Sequence, residues 1–272
     1  MFSGLAVYYG QCAKSRMMGT ITLLLEDETI DPVLLTEIVQ PAMEKAEVPS
    51  VAVWREYESQ TVVADLNQKS EETDVIVVYG SSHCLLPYGK NLQPEQKDGC
   101  IISEGLAEKL FSTRRAEGQT VQYAGHTWTI CDVIPQPKQL LLVEGTDLLE
   151  DVTFNRLSAM RDGGVPRQLA AERLIRQYGI SAKLLRLDVY TDLSWISEMI
   201  PSQWSDFKGW RQNWKQKKQE LQLTAGCEKS EVELLYLRDV KRCYAFAALS
   251  LLCLIPMVRL VRTGIRERKR EE

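Results

Sequence analysis

The chain has 272 residues, of which 44% are apolar and 26% are charged, and its net charge is −4. This length gives room for one or two folded domains with a real core. The acidic balance argues against a nucleic-acid binder, because no overall basic field is available to meet phosphates. The seven cysteines include no CxxC pair, which favours free thiols over a disulfide framework.

The first eighty residues alternate between strand and helix patterns. The apolar run 21–26 predicts a strand, and Asp31-Pro32 then predicts a helix start with aspartate as the N-cap. Further strands are predicted at 51–58, at 62–66 and at 74–79, where the sequence reads DVIVVY. Strand, helix, strand, strand is half of a ferredoxin-like module, which carries no function by itself.

Residues 100–111 predict a strand that leads directly into a capped helix. The run 100–102 is short and apolar, and Ser103 follows it where a helix N-cap belongs. Glu104 then brings a negative charge to the first turn, where the helix dipole favours it. Apolar residues at helical spacing give the helix a face to bury: Leu106, Ala107, Leu110 and Phe111.

A β-hairpin is predicted next. After Gly118, two alternating segments, 119–123 and 126–133, flank Ala124-Gly125. Glycine tolerates the positive φ of a tight turn, so this dipeptide is typical of a hairpin connection. Val133 closes the second of these strands.

Three further elements follow: a strand at 139–144, a helix at 166–178 stopped by Gly179, and a strand at 184–190. The helix and the last strand would supply the second half of the module begun at residue 21. The segment 80–150 would then be an inserted, β-rich subdomain.

The succession from residue 88 to residue 134 resembles the MacB-like periplasmic core domain of FtsX-type ABC transporter permeases. The matching motifs are YGKNL in the loop, ISEGLAEKLF at the strand–helix junction and GQTVQYAGHTWTICDVI over the hairpin. The residues that carry this fold signature are Ser103, Leu106, Leu110, Phe111, Gly118 and Val133. One departure is Cys131-Asp132-Val133, where the family usually has Val-Gly-Val. Aspartate also adopts turn geometry, so we expect the strand end to survive.

The resemblance implies an α+β fold. A ferredoxin-like (porter-type) βαβ subdomain carries the inserted β-rich subdomain, and a helical stalk and one transmembrane helix follow it. The extracytoplasmic core domain would comprise residues 1–202.

From residue 203 the composition becomes aromatic and basic. Trp204, Phe207, Trp214 and Leu221 recur at near-heptad spacing among lysines and arginines. One interpretation is a surface helix whose aromatic stripe packs on its own domain. The other is a helix at the headgroup layer of a membrane, where Trp beside Lys is typical. The sequence predicts a helical stalk over 203–242, interrupted near residues 224–226.

Residues 243–258 form the most apolar segment, sixteen residues without a charge. Extended to residue 261, the segment spans roughly 28 Å as a helix, close to the ~30 Å of a hydrocarbon core. A basic tail follows, which would be an odd end for a buried core helix. We therefore predict a transmembrane helix at 243–261 and a cytoplasmic basic tail at 262–272, with the bulk of the chain extracytoplasmic.

The end of this segment, LIPMVRL followed by RERKRE, resembles the exit of the second membrane helix in the same permease family. The predicted coupling and anchor residues are Pro256, Arg259, Arg262, Arg266 and Arg268. Arg259 stands where the family usually has Asn. The chain stops short of the family's next coupling segment, and no first membrane helix is predicted before the domain. We therefore expect a piece of a permease, either a truncated or split gene product or a fragment.

Motifs of catalysis and cofactor binding are missing from the sequence. His83-Cys84 has no second Cys/His pair at metal-ligand spacing. The segment 80–90 ends in Gly-Lys but lacks the spacing of a phosphate-binding loop, and no G-x-S-x-G occurs. We predict no enzyme activity, no metal and no cofactor, so ATP hydrolysis would come from a separate subunit.

The predicted function is that of a permease subunit, or part of one, whose outer domain couples cytoplasmic ATP hydrolysis to export or release of a hydrophobic or peptide-like substrate. The predicted partners are an ABC ATPase chain, another permease subunit or the remaining permease helices, and membrane lipid, with no nucleic acid. Two alternatives stay open. One is a ligand-binding sensor domain on a single membrane helix, and the other is a degenerate gene fragment without a present role.

Overall fold

A computed structural model describes residues 2–26, 32–44, 50–92, 98–136, 138–148, 152–161, 164–187, 207–227 and 229–271. The chain divides into two compact units. The first, here called the β unit, comprises Met18–Arg186 and Ser230–Val232. The second, the helical unit, comprises Met1–Met17, Leu187–Lys229 and Glu233–Glu272.

The elements of the described residues follow in chain order. The helices are α1 (Phe2–Gly19), α2 (Pro32–Glu44), α3 (Glu104–Phe111), α4 (Arg167–Tyr178), α5 (Phe207–Gly226) and α6 (Glu231–Glu271). The strands are β1 (Thr20–Leu25), β2 (Val51–Ala64), β3 (Ser70–Gly80), β4 (Gly99–Ser103), β5 (Thr120–Tyr123), β6 (His126–Ile134), β7 (Leu140–Glu144), β8 (Arg156–Met160) and β9 (Ala182–Leu184). Short 3₁₀ turns occur at Ser82–Cys84 and Thr146–Leu148.

The β unit is built on one continuous mixed sheet, which confirms the predicted α+β class. Its strand order is β3-β7-β4-β6-β5-β2-β8-β1-β9, and β3 also pairs with β2, so the first six strands close into a ring. The pairs β3–β7 and β4–β6 are parallel, and the others are antiparallel. Closing the ring gives each of its strands a paired neighbour on both sides.

Strand β2 belongs both to the ring and to the open part of the sheet. Its first residues, Val51–Trp54, pair with β8, whereas Val63 and Ala64 pair with β5. The sequence predicted two strands here. The structure instead has one strand with an irregularity between Tyr57 and Gln60, where Ser59 adopts a φ of 51°. The interruption of the alternation is a bulge, which changes the register without ending the strand.

Strand β8 was not predicted from the sequence, because its buried residues include polar side chains. Ser158 is fully buried, and its hydroxyl lies 3.0 Å from the Thr22 hydroxyl and accepts a hydrogen bond from Trp54 Nε1 at 2.9 Å. These partners lie on the two neighbouring strands. Polar side chains that satisfy each other across a sheet can be buried at low cost, and they hide the apolar pattern of a strand.

The predicted helices are confirmed as α2 and α4. Helix α4 is capped at its C-terminus by Gly179, whose φ is 64°. Strand β9 lies earlier than the predicted strand 184–190, of which 188–190 fall outside the described residues. The predicted hairpin is confirmed, with positive φ at both Ala124 and Gly125 in its turn.

The helical unit contains α1, which the sequence did not predict, together with α5 and most of α6. The ring of Tyr9 on α1 stacks on Phe246 of α6, with centroids 5.6 Å apart and planes inclined by 5°. The Arg242 guanidinium lies over the Tyr9 ring at 5.4 Å. The predicted break in the stalk is found after Gly226, and α6 then runs unbroken for 41 residues.

Among the side chains that the structure describes, no helix is both long enough and apolar enough to cross a membrane. The predicted span 243–261 includes Ile255 and residues 257–261, whose side chains lie outside that description. The transmembrane helix therefore stays a prediction.

Candidate coupling site at the start of the long helix

Helix α6 begins with a carboxylate that is bound by two separate segments of the β unit. Glu231 Oε1 accepts a hydrogen bond from the Tyr88 hydroxyl at 3.0 Å, and Oε2 accepts one from Gln136 Nε2 at 2.8 Å. In the same turn, the Val232 N–H donates to the Leu85 carbonyl at 3.1 Å. We call these five residues the Glu231 clamp. Glu231 is 9% exposed, so its hydrogen bonds are largely shielded from water.

The clamp fixes only the first turn of α6. The boundary between the two units falls between Val232 and Glu233, inside the helix. A negative charge in the first turn is also favoured by the helix dipole. A single continuous helix thus has its start bound in the β unit and its remaining length in the helical unit.

The loop that carries Leu85 and Tyr88 is closed at its base by one asparagine. Asn91 Oδ1 accepts hydrogen bonds from the Ser81 and Ser82 hydroxyls at 3.2 and 3.0 Å. The Ser82 hydroxyl also accepts one from Leu92 N–H at 2.8 Å. The loop is held from inside by buried leucines, which form part of a second apolar cluster: Leu85, Leu86 and Leu92. The loop is thus a packed element of the β unit.

Asp132 holds the other side of this loop, at the position where the sequence departs from the family pattern. Its Oδ2 accepts a hydrogen bond from the Lys90 N–H at 2.6 Å, and the Lys90 ammonium donates to the Cys131 carbonyl at 3.1 Å. The ladder with β4 passes from Ile130 to Asp132, so Cys131 forms a bulge. Strand β6 continues to Ile134, which confirms the expectation that the strand end survives.

Gly89 makes the close approach between the loop and Asp132 possible. Its φ is +93°, and a Cβ at this position would lie 3.0 Å from Asp132 Oδ2 and 3.2 Å from Ile134 Cγ2. A larger residue would meet both the strained φ and the crowded carboxylate. The glycine of the YGKNL motif therefore serves to seat the loop against β6.

Gln136 connects the clamp to the capped helix of the signature. Its N–H donates to the Ile134 carbonyl at 2.8 Å, and its carbonyl accepts from the Gly105 N–H, in the first turn of α3, at 3.1 Å. The same residue therefore contacts the end of β6, the start of α3 and the carboxylate of Glu231.

The six signature residues build the frame behind the clamp. The Ser103 hydroxyl accepts hydrogen bonds from Leu106 N–H at 3.2 Å, as the predicted N-cap, and from Leu140 N–H at 3.0 Å. Gly118 adopts a φ of +81°, and its N–H donates to the Ile130 carbonyl at 2.8 Å. The apolar members pack into the main core, two fully buried and two half-buried: Leu106, Leu110, Phe111 and Val133.

The five predicted anchor residues lie far along α6. Pro256 is inside the helix and is exposed. The side chains of the other four lie outside the described residues: Arg259, Arg262, Arg266 and Arg268. Their role stays a prediction.

Sequence reasoning missed the clamp, although one signal was present. Ser230 and Glu233 have the S-x-x-E spacing of a helix N-terminus, which places Glu231 in the first turn. Nothing in the sequence connects Glu231 with Tyr88 or Gln136, because 143 and 95 positions separate the bonded pairs.

Burial makes the thiol beside the clamp loop unreactive. Desolvation raises the pKa of Cys84 from 9.0 to about 12, and its thiol donates a hydrogen bond to the Ser50 carbonyl at 3.3 Å. Burial therefore keeps this thiol protonated at neutral pH. In the described part of the chain, no three metal-binding side chains come together. The arrangement around Glu231 is suited to holding the start of a helix.

The β unit also has an open cavity of about 270 Å³ between α4 and the open part of the sheet. Five apolar side chains and two arginines line it: Ile21, Met160, Val165, Ala170, Leu174, Arg161 and Arg173. An apolar wall with cationic groups beside it suits a small amphiphilic anion.

No protein-family model matches the chain, and no curated protein matches its sequence. Solved structures do show a likeness. One is the periplasmic region of MacB from Actinobacillus actinomycetemcomitans, at 12% identity and a TM-score of 0.47, with 61% of this chain and 87% of that one covered. Another is the extracellular domain of a noncanonic ABC-type transporter, YknZ, from Gram-positive bacteria. There the identity is 15%, the TM-score is 0.42, and 61% of this chain and 98% of that one are covered. The chain is thus similar to outer domains of MacB and YknZ, the class that the sequence motifs resemble.

Proposed function

We propose that this chain is the extracytoplasmic domain of an ABC-type permease and that it couples cytoplasmic ATP hydrolysis to export or release of a hydrophobic or peptide-like substrate. The observation that carries the proposal is the Glu231 clamp. It ties the start of a 41-residue helix to the loop, strand and capped helix that bear the permease-like motifs. The domain itself performs no catalysis, and ATP is hydrolysed by a separate ATPase chain.

The strand order β2-β8-β1-β9, with α2 and α4 as the connecting helices, supports assigning this part of the chain to a ferredoxin-like, porter-type subdomain. The ring of six strands supports assigning residues 80–150, together with β2 and β3, to the inserted β-rich part. In this proposal residues 203–242 are the stalk and residues 262–272 the cytoplasmic tail.

The segment 243–261 is the proposed membrane anchor. Two observations support this assignment. The run 243–258 is uncharged, and four leucines of this part of α6 are 42% to 65% exposed: Leu249, Leu251, Leu252 and Leu254. Exposed leucines at this density are costly in water and favourable in lipid. Helix α1 packs beside the start of this segment through Tyr9 and Phe246.

Mechanistically, a displacement of α6 in the membrane reaches the β unit through the clamp. A helix passes an axial displacement along its length because each turn is bonded to the next. At the clamp the displacement acts on the Leu85–Tyr88 loop and on Gln136. The ring of strands then moves against the substrate, or the substrate is released from it.

Protease treatment of intact cells tests the location. The proposal expects cleavage in the β unit, which is reached from outside, while an epitope at the C-terminus stays protected. A β unit that is spared in intact cells but cleaved after lysis would overturn the proposal. So would recovery of the whole chain in the soluble fraction without detergent.

A ligand-binding sensor is the second candidate, and the cavity beside Arg161 and Arg173 is the observation in its favour. Leu174→Arg would fill this cavity. The permease proposal expects ATP-coupled transport to persist in this variant, whereas a sensor would lose its ligand-dependent signal. A neighbouring reading frame with a phosphate-binding loop favours the permease, and a helical kinase linker favours the sensor.

A further inference from the structure

Helix α5 combines an exposed aromatic stripe with a dense positive charge. Phe207, Trp210 and Trp214 are 62%, 40% and 49% exposed, and the two indole rings stack at 6.3 Å. Their spacing of three and four residues puts them on one face of the helix. Packing within the helical unit would cover such rings, whereas these three are exposed.

The positive charge runs beside the aromatic stripe. Positions 207, 210 and 214 carry the aromatic stripe, and position 217 continues it one turn further. A basic residue follows each of these four positions, about 100° round the helix: Lys208, Arg211, Lys215 and Lys218. All four are exposed. Residues 207–218 contain five basic residues and no acidic one, in a chain whose net charge is −4. The positive charge is therefore concentrated locally on this helix.

We propose that α5 is an interfacial helix that lies on an anionic lipid surface. Indole rings favour the boundary between headgroups and acyl chains, and basic residues beside them meet anionic headgroups. Long lysine and arginine side chains reach the headgroups while their methylene stems stay on the apolar side. The remaining face of the helix is hydrophilic and suits contact with water; it includes Gln212, Asn213, Gln216 and Gln219.

This inference deepens the proposed function, since it rests on the chain being at a bilayer, and it adds a second contact with that bilayer. The stalk region then lies along the lipid surface and adds an electrostatic contact to that of α6. Such a contact depends on lipid charge and ionic strength, which insertion of an apolar helix does not.

The test uses the full chain reconstituted in phosphatidylcholine vesicles, with and without phosphatidylglycerol, in which part of the lipid carries brominated acyl chains that quench nearby indoles. The fluorescence of the two α5 indoles is obtained as a difference signal, by subtracting the emission of the Trp210→Phe/Trp214→Phe chain from that of the parent chain. Both rings are exposed, so these variants keep the fold. We expect brominated lipid to quench this difference signal strongly in vesicles that contain phosphatidylglycerol and weakly in vesicles that lack it. High salt should reduce the quenching in the vesicles that contain phosphatidylglycerol.

Lys215→Gln/Lys218→Gln should weaken the contact with anionic vesicles about 30-fold, at about 5-fold per lysine. Arg114→Gln/Arg115→Gln, which removes two exposed cations of the β unit, is the matched control and should change nothing. Quenching of the α5 indoles by aqueous iodide instead of brominated lipid would overturn the inference. Equal quenching in neutral vesicles, or no effect of the lysine substitutions, would also overturn it.

Failure of this inference is distinguishable from failure of the proposed function. If the α5 indoles are in water while the C-terminal epitope stays protected in intact cells, only the lipid contact of α5 is wrong. If the chain is recovered without detergent, the membrane anchor is wrong. Flotation of that soluble chain with anionic vesicles, compared between the parent and Lys215→Gln/Lys218→Gln, then measures the contribution of α5.

Discussion

Glu231 accepts two hydrogen bonds from residues that are distant in sequence, and each bond has a charged acceptor. Hydrogen bonds to charged groups contribute about 1.5–3 kcal/mol, more than neutral ones. Removing the acceptor also leaves the Tyr88 hydroxyl and the Gln136 amide without their partner in a largely buried place. Substitution of this residue should therefore be destabilising.

Glu231→Ala should lower the free energy of unfolding of the β unit by about 3 kcal/mol, since two donors lose a charged acceptor. Glu231→Gln keeps one carbonyl acceptor and should cost about half as much. Urea unfolding followed by the fluorescence of the buried Trp54 and Trp128 measures both. Glu172→Ala on the exposed face of α4 is the control and should stay within ~0.5 kcal/mol. Equal stability of parent and Glu231→Ala would show that the clamp contributes no binding energy.

Burial of Cys84 links stability to alkaline pH. Desolvation raises the folded-state pKa to about 12 from the 9.0 of an exposed thiol. The unfolded chain therefore loses this proton at lower pH than the folded chain. The contribution of Cys84 to the free energy of unfolding is fully present below pH 9. It is lost as the pH rises toward 12, by up to ~1.4 kcal/mol per pH unit. Burial raises the pKa of Cys100 as well, so the two add in the same direction.

Unfolding at a series of pH values measures this dependence. Cys84→Ala should flatten the decline between pH 9 and 11, while the parent loses stability over that range. Thiol labelling under native conditions should leave Cys84 unmodified while the half-buried Cys131 is modified. Rapid native labelling of Cys84 would contradict its burial.

At the scale of elements, the capped helix α3 fixes the geometry of the signature region. The Ser103 hydroxyl bonds the first turn of α3 and also the first residue of β7, so one side chain orients two elements. The residue pairs with Ile134 in the ladder between β4 and β6, two positions before Gln136. A change at the cap therefore reaches the clamp through the neighbouring strand.

Ser103→Ala should cost about 1–3 kcal/mol, because loss of the cap leaves the Leu106 and Leu140 N–H groups buried and unpaired. Hydrogen exchange should rise first in α3 and at the start of β7. Ser112→Ala, at the exposed end of the same helix, is the matched control and should cost much less. A Ser103→Ala chain with unchanged exchange at Leu140 would refute the double role of the hydroxyl.

Strand β8 shows how an element can escape sequence analysis. Its register with β1 and β2 is set by long-range ladders, and its buried Ser158 is satisfied by Trp54 and Thr22. Periodicity detects apolar residues at regular spacing, so a strand stabilised by a polar network in its core gives no such signal. The hairpin, by contrast, was predicted because the residues of its turn favour the turn conformation by themselves.

At the scale of the whole molecule, the proposed transmission depends on an unbroken α6. Its first turn belongs to the β unit, and the rest to the helical unit. A helix that carries displacement requires continuous hydrogen bonding between those two parts. A flexible joint just beyond the clamp removes that continuity without touching the clamp itself.

Insertion of Gly-Gly after Leu235 should uncouple ATP hydrolysis from transport in the assembled system, since glycine disfavours the helix and breaks its register. We expect ATP hydrolysis to continue and transport to fall at least tenfold. The same insertion after the exposed Gly164 is the control and should leave transport intact. Unchanged transport with the Leu235 insertion would exclude α6 as the lever.

The sequence by itself determined the elements whose signals are local. The Ser103 cap, the Ala124-Gly125 turn, the Gly179 helix stop and the apolar runs of the strands each depend on neighbouring residues alone. Only the tertiary structure decided that β2 is shared between the ring and the open sheet, that β8 is a strand, and that Glu231 meets Tyr88 and Gln136. The physical reason is that these features depend on hydrogen bonds between residues far apart in the chain, whose pairing is chosen by packing of the whole β unit.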